Sequence, residues 1–368
     1  MKIVYIITKA DEIGGAQIHV RDLSIAMTHL NNQVTVIVGE IGALTEQLKD
    51  NGINFIVEPK LIRDISPLND IICTMKLRST LKQLSPDIVS LHSSKAGIIG
   101  RSALIGTKIP CIFTAHGWAF ADGISNQRKK LYIFIERLFS KFCNKIITVS
   151  HQDKKLAVKY KVAPKEKQIV IHNGMPDKTI DFPKNNALNK TVNIICVARF
   201  SEQKDHISLL KSLKKIASLN WTLTLVGKGP LETKVKKLAE QLNINHKINF
   251  LGERHDVSKL LSTSDLFILP SNWEGLPRSI IEAMSFSLPI IASDVGGVNE
   301  MVSSSNGFLI PRGDIEKMST ALKILIENHD IRVQMGNSSR EIYCNSFNFQ
   351  QMLDKTYNLY HQISEKCS

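Results

Sequence analysis

The sequence predicts an α/β protein built from two doubly wound parallel sheets, and three observations carry that prediction. Short runs rich in Ile and Val alternate with longer amphipathic segments along the whole chain. The runs are almost continuously apolar, and the alternation restarts once after a polar stretch near the middle. Apolar runs of this kind read as parallel strands buried on both faces, and strand–helix–strand alternation closes them into doubly wound sheets. A length of 368 residues suits two domains.

The first set of strands is Lys2–Ile7, Gln33–Val38, Ile88–Leu91, Cys111–Thr114 and Lys145–Val149. The second is Val192–Val197, Thr222–Val226, Ile248–Phe250, Leu266–Leu269 and Pro289–Ala292. Helical periodicity fills the gaps, as in Ala16–Leu30, Gln127–Phe142, His206–Ser218 and Leu231–Leu242. Residues 173–191 are polar and contain Gly and Pro, which marks a linker. The expected division is therefore a domain over 1–172, the linker, and a second domain over 192–346. A last helix, over 347–368, is expected to cross back to the first domain. Two Rossmann-like sheets across a cleft are the architecture this implies.

Composition narrows the function classes. Hydrophobic residues make up 43% and charged residues 22%, which excludes disordered, collagen-like and small disulfide-stapled proteins. The net charge of +13 is uneven: residues 1–180 hold 25 basic and 15 acidic side chains, a net +10. The first half is thus suited to an anionic partner such as a phosphate, a nucleic acid or an acidic membrane. The cysteines at 73, 111, 143, 196, 344 and 367 form no C-x-x-C pair, against a zinc ribbon or a dense disulfide framework. The run Ile3–Ile7 is too short for a signal-peptide core, and no stretch reaches 18 apolar residues. A reducing cytoplasm is the expected compartment, with peripheral membrane attachment left open.

Candidate chemistry gathers at strand ends. Gly14 and Gly15 lie between a strand and a helix, where backbone amides and the helix N-terminus can meet an anion; as a bare glycine pair they also suit a tight turn. Gly227-Lys228-Gly229 is similarly two-sided. Arg199 and Lys204 lie just beyond the Val192–Val197 strand, where α/β sheets bind ligands; an Arg can chelate two phosphate oxygens. Glu274 sits in a Gly/Pro loop after the Leu266–Leu269 strand, and Glu282 on the helix begun near Pro277. Carboxylates accept hydrogen bonds from sugar or ribose hydroxyls. Two glutamates at this spacing are often only surface charges, but a helix entrance after a buried strand favours a ligand.

The Glu274-to-Glu282 segment resembles the E-x7-E signature of glycosyltransferase family 4, the retaining GT-B enzymes. Gly14-Gly15-Ala16-Gln17 resembles the family's glycine loop, with Gln17 where an acid is usual. His172-Asn173-Gly174, Val197-Ala198-Arg199-Phe200 with Lys204, Asp294-Val295-Gly296-Gly297 and Asn306-Gly307-Phe308-Leu309 follow its other landmarks in order. The resemblance implies a nucleotide-sugar donor, with UDP expected, bound by the second domain. Gly14 and Gly15 would approach the diphosphate, and Arg199 and Lys204 would neutralise it as it departs. Glu282 would bond the ribose, Glu274 with Gly275 and Leu276 would hold the hexose, and Arg254, in the Glu253–His255 segment, would border the base. His116 would line the sugar site. The chain has no Asp-x-Asp pair, so no metal cofactor is expected, the two cations standing in its place.

The acceptor side is expected in the first domain. His92, Ser93, Ser94, Lys95 and Arg101, with Trp118 beside His116, resemble bacterial transferases that extend lipid-linked sugars in O-antigen or capsule assembly. That likeness implies a polyprenyl-diphosphate-linked acceptor and an N-acetylhexosamine donor, with GalNAc in α-1,3 linkage the expected product. The segment Asn126–Lys145 carries Arg128, Lys129, Lys130, Arg137, Lys141 and Lys145 around Phe134, Ile135, Leu138, Phe139 and Phe142. Such a helix either inserts its apolar face in an anionic membrane at the inner face of the cell, or packs that stripe on the sheet and leaves the cations in water. Two rival classes remain: a nucleotide-sugar epimerase, and a non-enzymatic binder of nucleic acid or anionic surfaces. No recognised nucleic-acid motif supports a nucleic-acid partner.

Overall fold

The computed structural model describes residues 1–11, 14–121, 123–182 and 191–367. The chain divides into two units, the first of residues up to Asn173 together with the helix from Gln351 onward, the second Gly174–Gln350. Residues 183–190 of the expected linker stretch lie outside the described residues.

In chain order the first unit holds β1 (Lys2–Ile7), α1 (Gly15–His29), β2 (Gln33–Val38), α2 (Ala43–Asp50), β3 (Asn54–Val57), α3 (Pro67–Leu84), β4 (Ile88–His92), α4 (Ser94–Leu104), β5 (Cys111–Ala115), α5 (Asn126–Phe139), β6 (Lys145–Thr148), α6 (His151–Lys159) and β7 (Gln168–Val170). Its sheet runs β3-β2-β1-β4-β5-β6-β7, and every described pairing is parallel. The strand order reverses between β1 and β4, the position where doubly wound sheets open a crevice at their carboxyl edge. One face of β4 is apolar, with Val89 and Leu91 in the main core. The opposite face presents Ser90 and His92, both fully buried.

The second unit holds β8 (Val192–Val197), α7 (His206–Lys215), β9 (Trp221–Val226), α8 (Glu232–Gln241), β10 (Ile248–Gly252), α9 (Val257–Ser262), β11 (Leu266–Leu269), α10 (Arg278–Ser285), β12 (Ile290–Ser293), β13 (Gly307–Ile310), α11 (Ile315–Glu327) and α12 (His329–Ile342). A π-helical turn, Tyr343–Phe347, leads to α13 (Phe349–Cys367). The sheet order β10-β9-β8-β11-β12-β13 is again doubly wound, with its reversal between β8 and β11. All residues of β11 and β12 are buried, and each fully buried Leu, Ile or Phe contributes about 1.5–3 kcal/mol. Gly174 is required where the chain enters this unit, because a Cβ there would lie 2.5 Å from the Asn348 carbonyl oxygen.

The basic segment after β5 resolves in an unexpected way. α5 turns Ile133 and Glu136 inward, and Glu136 meets the guanidinium of Arg101 at 2.9 Å in the interior. Its outward face carries Leu131, Phe134 and Leu138, exposed to 50%, 64% and 43%. The stripe read from the sequence is therefore split: Ile135 and Phe139 turn partly inward, while Phe134 and Leu138 face solvent beside the exposed Arg128, Lys130, Arg137 and Lys141. The N-terminal half of α3 exposes a second apolar stripe, Leu68, Ile71 and Met75. No helix of the described residues is long and apolar enough to cross a membrane.

Candidate active site

In the second unit the candidate donor residues gather at the carboxyl edge of the sheet, centred on its switch point. Arg199 follows β8 and is exposed. A single turn, Glu202–Lys204, then leads into α7, whose cap Asp205 adopts a left-handed conformation (φ 36°) and accepts from the Ser208 amide at 3.2 Å. This turn is stitched to the loop after β11: the Asn272 amide donates to the Gln203 carbonyl, and Gln203 Nε2 donates to the Trp273 carbonyl at 2.8 Å. The two loops bring Lys204 Nζ onto the Glu274 carboxylate as an ion pair with both side chains largely buried. An ammonium has three donors, so this bond leaves Lys204 capacity for an anionic ligand.

The glycines of the landmark turns have structural reasons. Gly296 has φ 55°, and a Cβ on it would stand 2.0 Å from the Glu274 carbonyl oxygen. The neighbouring Gly297 amide donates to the Gly275 carbonyl at 2.8 Å. The turn after β12 therefore supports the Glu274 loop from beneath. Gly227 and Gly229 answer the ambiguity of their loop: Cβ atoms there would lie 2.3 Å from the carbonyl oxygens of Ala198 and Phe200, so both permit close approach of the β9 loop to the Arg199 segment. Leu276 is buried under the loop, and Glu282 is half-buried on α10. Arg254, after β10, is exposed and forms a bidentate pair with Asp256 at 2.7 and 2.8 Å.

Arg278 escapes a reading of the sequence. It begins α10 and is buried, although a cation at a helix N-terminus opposes the helix dipole. It shares a helix face with Glu282 by its i, i+4 spacing. That unfavourable placement is the signal the sequence offers.

In the first unit, Gly14 caps the N-terminus of α1 and, with Gly15, is exposed at the β1 end of the switch point. Across it, after β4, Ser93 has φ 78° and ψ 150°, a region that costs a non-glycine residue about 1–3 kcal/mol. Ser93 Oγ lies 3.1 Å from Thr8 Oγ1, which ties the ends of β1 and β4 together. Next to them three imidazoles converge. His92 Nδ1 is 2.9 Å from His116 Nε2, and the two rings stack with centroids 5.2 Å apart. His19, from α1, approaches His116 edge-on with centroids 4.8 Å apart. The three ligand atoms lie within 4.8 Å of one another, a set able to hold a metal ion. Burial, and then His116, hold His92 well below the usual imidazole range. His19 and Thr8 give no signal in the sequence, because their nearness to His116 arises only from the sheet order.

The structure corrects two expected acceptor residues. Arg101 is fully buried, paired with Glu136, bonded to the Gly97 carbonyl at 2.7 Å and stacked over Phe113 at 4.4 Å. It is a core cation and presents nothing to an acceptor. Trp118 is likewise buried, with Nε1 donating to the Asp153 carbonyl at 2.9 Å and its ring stacked on Phe120. Lys95 is committed to Asp70 of α3 at 2.6 Å, which neutralises its charge locally. Ser94 opens α4 and is half-buried, as is His116.

Residues 177–342 match the model for "Glycosyl transferases group 1" and residues 13–178 that for "Glycosyltransferase Family 4". A UDP-Gal:alpha-D-GlcNAc-diphosphoundecaprenol alpha-1,3-galactosyltransferase of Escherichia coli is 31% identical over 348 residues, covering 89% of this chain and 88% of the relative. The chain belongs to the family 4 glycosyltransferases. The O-antigen biosynthesis glycosyltransferase WbnH of Escherichia coli is 29% identical, covering 83% of this glycosyltransferase and 85% of the relative. Among solved structures, Anabaena HepE in complex with UDP and glucose superposes with a TM-score of 0.84 at 19% identity, covering 98% of this chain and 99% of the other. The two parallel-sheet, Rossmann-like units of this glycosyltransferase are those of the GT-B fold.

Proposed function

We propose that this glycosyltransferase moves one sugar of galacto configuration, GalNAc or galactose, from UDP to a sugar on polyprenyl diphosphate during surface-polysaccharide assembly. The observation that carries the donor half is the Lys204–Glu274 pair at the β8/β11 switch point, with Arg199 on the same strand end. It supplies a carboxylate for sugar hydroxyls and cations for a diphosphate within one pair of linked loops. Support for the acceptor and sugar comes from the relative at 31% identity, whose activity joins galactose to GlcNAc-diphosphoundecaprenol.

In this reading the bond from C1 to the β-phosphate oxygen breaks with its electron pair leaving on UDP. The acceptor hydroxyl bonds to C1 on the same face, and its proton passes to the departing diphosphate. Arg199 and Lys204 stabilise the charge gained by the leaving group, an effect strongest where water is excluded. They take the place of a metal ion. Glu274 orients the hexose, Glu282 the ribose, and Arg254 borders the base. Ser93 and Ser94 face the acceptor. The exposed Leu131, Phe134 and Leu138, ringed by cations, rest on the anionic inner face of the membrane, where the lipid acceptor is found.

Release of UDP from UDP-GalNAc, UDP-Gal, UDP-GlcNAc and UDP-Glc in the presence of a synthetic polyprenyl-diphosphate GlcNAc tests the donor. The two galacto sugars should turn over at least about tenfold faster than the gluco pair, a difference worth one discriminating hydrogen bond, and chelator should leave the rate unchanged. Faster turnover of a gluco sugar overturns the donor assignment. Loss of rate in chelator, restored by Mg²⁺, overturns the role assigned to Arg199 and Lys204.

A further inference from the structure

We propose that the loop before α3 and the first half of that helix form the binding surface for the acceptor's lipid tail, with Ile65, Leu68, Ile71 and Met75 against the first isoprene units and Arg63 on the diphosphate. This rests on the polyprenyl-diphosphate acceptor proposed above and says where on the chain that lipid is held.

α3 is apolar on two sides. Cys73, Leu77 and Leu81 face the core. Leu68, Ile71 and Met75 repeat at i, i+3 and i+7 on an exposed face, and Ile65 adds a fourth exposed apolar group just ahead of the helix. Leu68 and Ile65, 78% and 74% exposed, are the two most exposed large apolar side chains among the described residues of the first unit. Core packing explains none of the four, and apolar groups exposed together mark an interaction surface. The outward positions farther along the helix, Ser79, Lys82 and Gln83, are polar, so the apolar exposure is confined to one end. That end follows β3 and lies at the carboxyl edge of the sheet, where doubly wound proteins bind ligands.

The stripe is fastened to the proposed acceptor residues. Lys95 Nζ, one residue beyond Ser94, donates to the Asp64 carbonyl at 2.9 Å and to the Asp70 carboxylate at 2.6 Å. Buried Leu61 holds one end of the loop, and the hydrogen bond from Asn69 to Ser66 Oγ at 3.0 Å holds the other. A surface ordered in advance has little freedom left to lose on binding. Lys95 is thus a positioning residue that ties the tail surface to the serines. From Leu68 to Met75 the line runs about 10 Å away from the carboxyl edge. Arg63, near its start, is exposed and has no hydrogen-bond or ion-pair partner among the described residues; its neighbour Asp64 is exposed too and opposes it. A cation near the sugar end and an apolar line leading away from it match a lipid diphosphate. α4 packs against both α3 and α5, and the three helices share one core, so this line and the exposed apolar face of α5 lie on the same side of the unit.

Acceptors that carry the same GlcNAc diphosphate on a methyl, geranyl or farnesyl group, each below its micelle concentration and without vesicles, read the tail separately from the head. For the full chain kcat/KM should rise with tail length, farnesyl exceeding methyl by at least about tenfold, which two buried methylenes supply. Leu68→Ser with Ile71→Ser should remove most of that rise, while the methyl ester loses no more than about twofold. Ile65→Ser, a single change in the loop, should remove about threefold and serves if the double variant does not fold. Arg63→Gln should raise KM about fivefold on all three esters, the upper end for an exposed charge pair, and Asp64→Asn should lower it. Equal turnover of the three esters, or equal losses on all of them from the Leu68 and Ile71 changes, overturns the inference and leaves the proposed function standing. So does a double variant that stops sedimenting with vesicles yet keeps the farnesyl preference, which would make the stripe a membrane contact. A double variant that turns a dimer into a monomer with the preference intact would make it an interface between copies, and overturns the inference as well. No transfer to any ester from any UDP-sugar would remove the proposed function and the inference with it.

Discussion

Glu274 and Arg199 occupy neighbouring strand ends but are held differently, and their variants should separate. Glu274 is buried against Lys204, while Arg199 is exposed on the β8 loop. Glu274→Ala should lower kcat by about a hundredfold, the size of a lost preorganised contact, with little change in UDP affinity. Arg199→Ala should weaken both UDP binding and turnover, and the reverse assignment of effects would contradict these two roles. Arg101 offers a stability test with no bearing on substrate. Glu136→Gln leaves the enclosed guanidinium without its counter-charge and should cost about 3 kcal/mol in urea unfolding. Pairing Arg101→Met with Glu136→Leu should recover most of that loss. Why Arg101 misleads is plain at this scale: it lies in a loop-plus-helix segment after a strand, and the partner that draws it inward is 35 residues away.

Elements differ in how clearly the sequence marks them. The long apolar strands β1, β2, β8 and β9 are legible because most of their residues are buried and apolar. β3, β7 and β13 are not, being four, three and four residues long and opening with Asn, Gln or Gly. α5 is legible as a helix but not in its orientation. Its buried glutamate and outward phenylalanine reverse the usual amphipathic pattern, because Arg101 offers Glu136 a partner inside. The reversal leads to a prediction about the whole element. Phe134→Asp with Leu138→Asp should abolish sedimentation with anionic phospholipid vesicles, and added salt should weaken binding of the unaltered chain. Salt-independent binding, equal on neutral vesicles, would contradict docking through this face. Gly296 acts at the same scale, since its turn sets the height of the Glu274 loop.

For the molecule as a whole, the doubly wound order of both sheets is foreseeable from alternation and the single restart. The histidine cluster is not, since α1, β4 and the loop after β5 meet only through the β1/β4 reversal. Global stability should also carry a histidine signature. Burial, then Lys204, lower the His206 pKa from its ordinary 6.5 to about 4. Between those values the unfolded chain binds a proton that the folded chain refuses, so stability is full above pH 6.5 and falls as pH drops towards 4. The loss from this residue reaches at most about 3 kcal/mol. Urea midpoints should fall over that window, and His206→Gln should flatten the fall; a midpoint that rises on acidification would contradict the assignment.

The most direct test of the account is the mass of the lipid. Purified protein is incubated with UDP-GalNAc or UDP-Gal, with and without polyprenyl-diphosphate GlcNAc, and the lipid is weighed by mass spectrometry. The account predicts one added N-acetylhexosamine or hexose on the lipid, matched by UDP release. An unchanged lipid with an epimerised nucleotide sugar in the acceptor-free sample, or an unchanged lipid with every donor, would contradict it.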